Sequence, residues 1–252
     1  MKNRIKIMDI WVDPVTREEA LDYVSYILKT GDRPHAIFAS NPEKNFFVPK
    51  DSDLYEIYKE AEILLPDGMG IVAAARILYG LKLKRVPGSE FIFDICRLAA
   101  MENHKVFIYG AKEEVNRIAV NRLRERFPGL AIAGRSNGYV SKSDMAALID
   151  KINASEAEIL FLALGSPIQE KWYARYKDAL ENIKICQGIG GTLDTIAGTV
   201  KRAPRVWCQL QLEWLYRLLK EPRRFNRQRM LWVFAAMVFM ERFKNGIKRL
   251  PT

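Results

Sequence analysis

Apolar residues over the first two hundred positions follow two rhythms. Short runs that are apolar almost throughout ("IKIMDIWV", "HAIFAS", "EILLP", "KVFIYG", "LAIAG", "EILFLALG" and "IKICQGIGG") alternate with longer stretches in which apolar residues recur every three or four positions. The longer stretches are "REEALDYVSYILKTG", "DSDLYEIYKEA", "GIVAAARILYG", "SEFIFDICRLAAMEN", "EEVNRIAVNRLRERF", "KSDMAALIDKIN" and "QEKWYARYKDALEN". The first rhythm predicts strands and the second helices. Their alternation predicts an α/β fold on a largely parallel sheet. Strands without a polar face predict that helices cover both sides of it. From Arg205 the strand rhythm stops, and "RVWCQLQLEWLYRLLKE", Pro222 and "RFNRQRMLWVFAAMVFMERFK" read as helix. The chain divides into a core over residues 1–200 and a helical appendage over residues 201–252.

In such sheets ligands lie beyond the carboxyl ends of the strands. The loops at those ends are polar and glycine-rich: "SNPEK" (40–44), "PDGMG" (66–70), "YGAKEE" (109–114), "GSPIQEKW" (165–172) and "GIGGTLD" (188–194). Asp67 ends a strand beside two glycines, where a carboxylate can act as a general base at a pocket mouth. Its plainer reading is a cap for the helix that follows. Gly110 and Gly165 each sit in a strand–glycine–helix turn, and the free N–H groups of a helix start attract phosphate. With Gly191 and Asp194 they point to a Rossmann-like nucleotide-binding half, Asp194 being placed to hold a ribose hydroxyl or to cap a helix. Neither turn is GxGxxG or a Walker loop, and glycine there serves packing as readily as ligand contact.

Charge changes the picture mainly at the end of the chain. Of 252 residues 49% are apolar and 28% charged, a globular composition. The net charge is +10, yet residues 1–200 hold 27 basic and 27 acidic side chains, and residues 201–252 hold 13 and three. The whole excess lies in the appendage. There Trp207, Leu210, Trp214, Leu215 and Leu218 form a helical stripe, and Arg217, Arg224 and Arg227 offer planar heads suited to phosphate. The uncharged segment Met230–Met240 is too short to span a bilayer core, which needs about 20 residues. "MKNRIKIMDIWVD" reads as a strand broken by charges and not as a signal peptide. Cys96, Cys186 and Cys208, with His35 and His104, lack the spacing of a zinc site or a disulfide framework. No metal or other cofactor is expected, and a reducing cytoplasm is the expected compartment.

"SNPEK", "LPDGMGIV", "RVPGSE", "GSPIQEKW", "GIGGTLDTIAGTVKRAP" and "LEWLYRLLKEPRR" occur in the order and spacing of the WecG/TagA/CpsF glycosyltransferases, and nearly the whole chain resembles that family. The resemblance implies an inverting, metal-independent transfer from a UDP-sugar to a polyprenyl-diphosphate-linked sugar at the cytoplasmic face of the membrane. The teichoic-acid members, which the chain most resembles, move N-acetylmannosamine onto lipid-linked N-acetylglucosamine. By the same resemblance Asp67 takes the place of the family's base, Gln169 that of its glutamine, and Ser40 and Asn41 that of its Thr/Ser-Asn element. Arg217, Arg224 and Arg227 take the places of the appendage arginines. The chain departs from the family at Ile168, Glu90 and Gln211, where lysine, aspartate and glycine are usual.

An anionic lipid surface is thereby the expected partner of the cationic, partly apolar tail. A homo-oligomer is left open. Nucleic acid is the rival partner, but the tail's cations flank an apolar block instead of interleaving with aromatics. A nucleotide-dependent oxidoreductase is disfavoured by the missing glycine fingerprint.

Overall fold

The computed structural model of the chain describes residues 4–199 and 225–245. The first apolar run, expected as one strand, is a hairpin. β1 (Ile5–Ile7) and β2 (Ile10–Val12) pair antiparallel in a two-stranded sheet of their own. The reason is parity. Successive strand residues face opposite sides, so one continuous strand would send Ile5 and Ile7 to one face and Ile10 and Val12 to the other. A turn in which Met8 adopts φ 55° restores the phase, and all four side chains are buried.

The main sheet is parallel and has six strands in the order β4-β3-β8-β7-β5-β6. In chain order these are β3 (His35–Ser40), β4 (Ile63–Pro66), β5 (Val106–Gly110), β6 (Ile132–Ser136), β7 (Ile159–Ala163) and β8 (Ile185–Gly188). Every residue of β4, β5, β7 and β8 is buried, as the apolar runs of the first three require; in β8 the buried Gln187 donates to Gly88 O at 3.0 Å. "LAIAG" is displaced: β6 starts at Ile132 and continues into polar Arg135 and Ser136, because it is an edge strand.

Helices cover both faces. On one lie α3 (Ser52–Glu60), α4 (Met69–Tyr79), α7 (Met145–Ala154) and α8 (Ile168–Tyr176), together with the hairpin and the short α2 (Lys44–Phe47). On the other lie α1 (Arg17–Thr30), α5 (Gly88–Glu102), α6 (Glu113–Arg126) and α9 (Thr192–Ile196). Local sequence sets their ends. Thr16 and Glu19 form a reciprocal capping box at α1, and Asp51 accepts from the Leu54 amide at α3. Neighbouring β5 and β7 send their following helices, α6 and α8, to opposite faces, which opens a crevice between their carboxyl ends.

The appendage contributes α10 (Phe225–Asn245), which packs along α4. Phe234 and Val238 are 2% exposed and join the core cluster. On the far side Trp232 (71%), Phe239 (52%) and Phe243 (87%) stand in solvent, one or two turns apart. Among the described residues no helix is long and apolar enough to cross a membrane.

Candidate active site

The carboxyl ends of β3 and β4 meet first. The Asp67 amide donates to Ser40 O at 2.9 Å, so the two loops leave the sheet side by side. Asp67 is partly exposed and does not cap α4: the N-cap is Gly68, at φ 93°, with no side-chain cap. Pro42 packs onto this turn so closely that a Cβ on Gly70 would fall 2.5 Å from its Cγ. The same Cβ would lie 3.7 Å from Phe234 Cδ1, so α10 rests on the turn that carries Asp67. Ser40 is fully buried, and its hydroxyl donates to Trp11 O at 2.8 Å, where it anchors the hairpin under the loop. Asn41 faces its own loop, its Oδ1 accepting from the Lys44 amide at 3.3 Å.

The β7 and β8 ends interlock in the same way. Gln169 is buried at the start of α8, and its Oε1 accepts from the Gly190 amide at 3.0 Å. It lies flat on Gly188, where a Cβ would sit 2.5 Å from Nε2. Beside it Glu170 Oε1 accepts from Lys44 Nζ at 2.9 Å and from the Tyr58 hydroxyl at 3.1 Å. Burial pulls the Lys44 ammonium below its ordinary pKa, against the opposing pull of Glu170 and the more distant Asp67. Burial and the Glu170 charge hold the Tyr58 phenol well above its own.

The glycines of the nucleotide half divide by cause. Gly110 (φ 132°) is a packing glycine, since a Cβ there would meet Ala163 O at 2.3 Å. Among the described residues nothing lies within 4 Å of where a Cβ would stand on Gly165 (φ 77°) or Gly190 (φ 54°). Gly191 has an ordinary negative φ, so Gly190 is the residue of that turn that needs to be glycine. Asp194 sits in the first turn of α9 without capping it; its backbone carbonyl accepts from the Thr199 amide and hydroxyl.

Two groups here escaped the sequence reading. Asn116 is fully buried and ties the β5 and β6 ends, its Nδ2 donating to Gly110 O and Ser136 O, both at 2.9 Å. A polar residue on the apolar face of Ala119, Val120 and Leu123 was the available signal. Tyr139 stands 75% exposed on the loop after β6, which crosses the crevice through the Gly138 amide on Ala111 O.

Asn41 and Asp67 thus stand at the β3 and β4 ends of the carboxyl edge, Gly165, Gln169, Gly191 and Asp194 at the adjoining β7 and β8 ends, and Gly110 at the β5 end beyond them. Arg217 and Arg224, and the side chain of Arg227, lie outside the described residues. So does the stripe from Trp207 to Leu218. Among the described residues no three His, Cys, Asp or Glu side chains converge as for a metal. A cavity of about 340 Å³ opens at the opposite edge of the sheet, lined by Arg33, His35, Glu62, Tyr173 and Lys177 among others. It lies at the amino ends of the strands, where parallel sheets do not place chemistry, and in it His35 contacts Glu62 and Lys177 contacts Glu60.

The molecule is a Rossmann-like α/β protein with its polar, glycine-rich loops at a single sheet edge, where folds of this kind bind their ligands. Residues 5–248 match the model of the "Glycosyl transferase WecG/TagA/CpsF family", and the chain belongs to that family; it is a glycosyltransferase. It is 33% identical over 201 residues to the N-acetylglucosaminyldiphosphoundecaprenol N-acetyl-beta-D-mannosaminyltransferase of Bacillus subtilis (strain 168), covering 80% of this chain and 77% of that one. The proteins of the same name from Bacillus spizizenii (35%, over 76% and 73% of the two chains) and Staphylococcus aureus strain MRSA252 (30%, over 84% and 82%) are similar to it as well.

Proposed function

We propose that this glycosyltransferase moves N-acetylmannosamine from UDP to N-acetylglucosamine carried on undecaprenyl diphosphate, with inversion and without a metal, at the cytoplasmic surface of the membrane. The observation that carries the reading is the seat of α10. Phe234 rests on Gly70, three residues from Asp67, while Trp232, Phe239 and Phe243 face outward from the same helix. A lipid-diphosphate acceptor needs that arrangement, because its sugar must reach a base while its tail stays in hydrocarbon.

Asp67 takes the proton of the acceptor hydroxyl as that oxygen attacks the anomeric carbon and the UDP oxygen leaves. Asn41 and Gln169 border the reacting sugars. The open turns at Gly165 and Gly190–Gly191, with Asp194, receive the nucleotide, and Tyr139 offers its exposed ring beside them. Arg217, Arg224 and Arg227 neutralise the diphosphates in place of a divalent cation. The outer face of α10, with Arg229 and Lys244 at its ends, lies in the headgroup region of an anionic bilayer. The domain division follows: residues 1–200 bind and react, and residues 201–252 dock and complete the site.

The test is to offer a panel of UDP-sugars with a synthetic polyprenyl-diphosphate N-acetylglucosamine and weigh the product. A disaccharide formed only from another donor, such as the uronic acid or glucose, would replace N-acetylmannosamine in this reading. No transfer from any donor would overturn it.

A further inference from the structure

The pair Lys44–Glu170 is unusual for its place. Its side chains are 6% and 1% exposed, and its residues are 126 positions apart. Lys44 follows β3 and Glu170 follows β7, strands that are not neighbours, because β8 lies between them. The contact therefore reaches over the end of β8, where Gly188 has no side chain and Gln169 fills the space.

A buried ion pair is poor value as a source of stability, since desolvating two charges offsets most of their attraction, and an apolar pair of similar volume often does as well. The bonding here is also lopsided. Glu170 Oε1 receives both Lys44 and Tyr58, and Oε2 is buried with no partner among the described residues. Such an arrangement leaves stability unused but fixes the carboxylate's rotation and, through it, the ammonium. The Lys44 ammonium is held further by the Ser166 hydroxyl and by the rings of Phe47 (5.2 Å) and Tyr58 (5.1 Å).

Each end of the pair continues into a loop of the candidate site. The Lys44 amide bonds Asn41 through both O and Oδ1. Ser166 shares a turn with Gly165, and Glu170 adjoins Gln169, which holds Gly190. We infer that Lys44 and Glu170 are positioning residues, whose directional contact sets the Asn41 loop and the Gly165–Gln169 turn in one register across the substrate cleft. This rests on the glycosyltransfer reading above; neither residue touches the reacting atoms.

Stability and register can be separated. Lys44→Met and Glu170→Leu alone each strand a buried charge, so both variants should melt early and turn over slowly. The double variant removes both charges and should regain the parent's Tm. Its kcat should stay about ten- to a hundredfold low, because small misplacements of reacting groups carry penalties of that size. Donor KM should remain within about threefold of the parent. Tyr58→Phe removes the hydroxyl that meets Oε1 at 3.1 Å and Ala39 O at a longer 3.4 Å, and should lower kcat several-fold at unchanged KM. Amide hydrogen exchange should quicken at residues 40–45 and 164–170 in the double variant and nowhere else.

A double variant that recovers both Tm and kcat overturns the inference, and so does a Tyr58→Phe protein with the parent's kcat. If the double variant still melts early, Tyr58→Phe decides alone. A parent protein that transfers nothing counts against the proposed function instead. The exchange pattern then judges the pair, and unchanged protection in those two loops defeats it.

Discussion

Replacing Trp232, Phe239 and Phe243 together by serine tests the outward face of α10 without touching its inward one. The three side chains expose 71%, 52% and 87% of their surface, about two whole large apolar side chains between them. Full transfer of such side chains out of water is worth ~1.5–3 kcal/mol each. A helix lying in the headgroup region buries its outer face only in part, so we expect ~2–3 kcal/mol in all. That corresponds to an about 30- to 150-fold weaker partition onto vesicles. The assay is co-sedimentation with large unilamellar vesicles of anionic lipid at fixed ionic strength. Phe234 and Val238 remain against α4 in this variant, so stability should hold to about 0.5 kcal/mol, as for other surface changes. Turnover on a short, water-soluble acceptor should persist. Vesicle binding equal to the parent's would refute the reasoning. Equal loss of turnover on lipid and soluble acceptors would also refute it, because the outward face would then be part of the site and not of the docking surface.

Asp67→Asn should lower kcat by about 10²–10⁴ with UDP affinity nearly intact by calorimetry; near-parental turnover would remove Asp67 as the base. Transfer should survive EDTA, and activity that titrates with added Mg²⁺ or Mn²⁺ would count against arginines doing the work of a metal. Gly110→Ala places a Cβ 2.3 Å from Ala163 O at φ 132°, and chemical denaturation should show a loss of about 3 kcal/mol or more. Glu62 is pushed up by burial but held below its ordinary 4.5 overall by the Tyr23 hydroxyl and the His35 ring. Its stabilisation is therefore complete above about pH 4.5 and is lost as pH falls through the lowered folded value. Glu62→Gln should flatten the fall of Tm with acid in that range, and an unchanged acid slope would assign the loss to other carboxylates.

What could be read from the chain alone was whatever depends on neighbours in sequence. Strands β4, β5 and β7 were legible because no charged or amide side chain interrupts them, and β8 despite the buried Gln187 within it. The division of the first run into a hairpin was legible too, since Ile5 and Ile7 have odd parity and Ile10 and Val12 even, though it was read as one strand. Asp67 stood out as a candidate by its position at a strand end beside glycines. The Lys44–Glu170 contact was not legible. Both residues stood inside loops already singled out, but only the strand order brings β3 and β7 near enough to pair them. Glycine identity was likewise a weak guide to cause. Gly110 answers to the backbone of β7, and in "GIGG" the positive φ falls on Gly190 while Gly191 merely precedes α9.

The two-sided character of α10 has a consequence for how the protein behaves in a test tube. A helix with Phe234 and Val238 sealed against α4 still presents Trp232, Val233, Phe239, Met240 and Phe243 to water, and a patch of that kind seeks a cover. On the proposed docking, detergent, a bilayer and the same patch on a second copy would compete for it. Self-association measured in plain buffer is then a property of the missing lipid as much as of the polypeptide, and it should dissolve as vesicles are added. Salt would act on that competition unequally: it would weaken a pull of anionic lipid on Arg229 and Lys244 and leave an apolar contact between copies untouched. Purification at high salt would therefore favour clusters, and the same preparation diluted into low salt with lipid would favour single molecules lying on a surface.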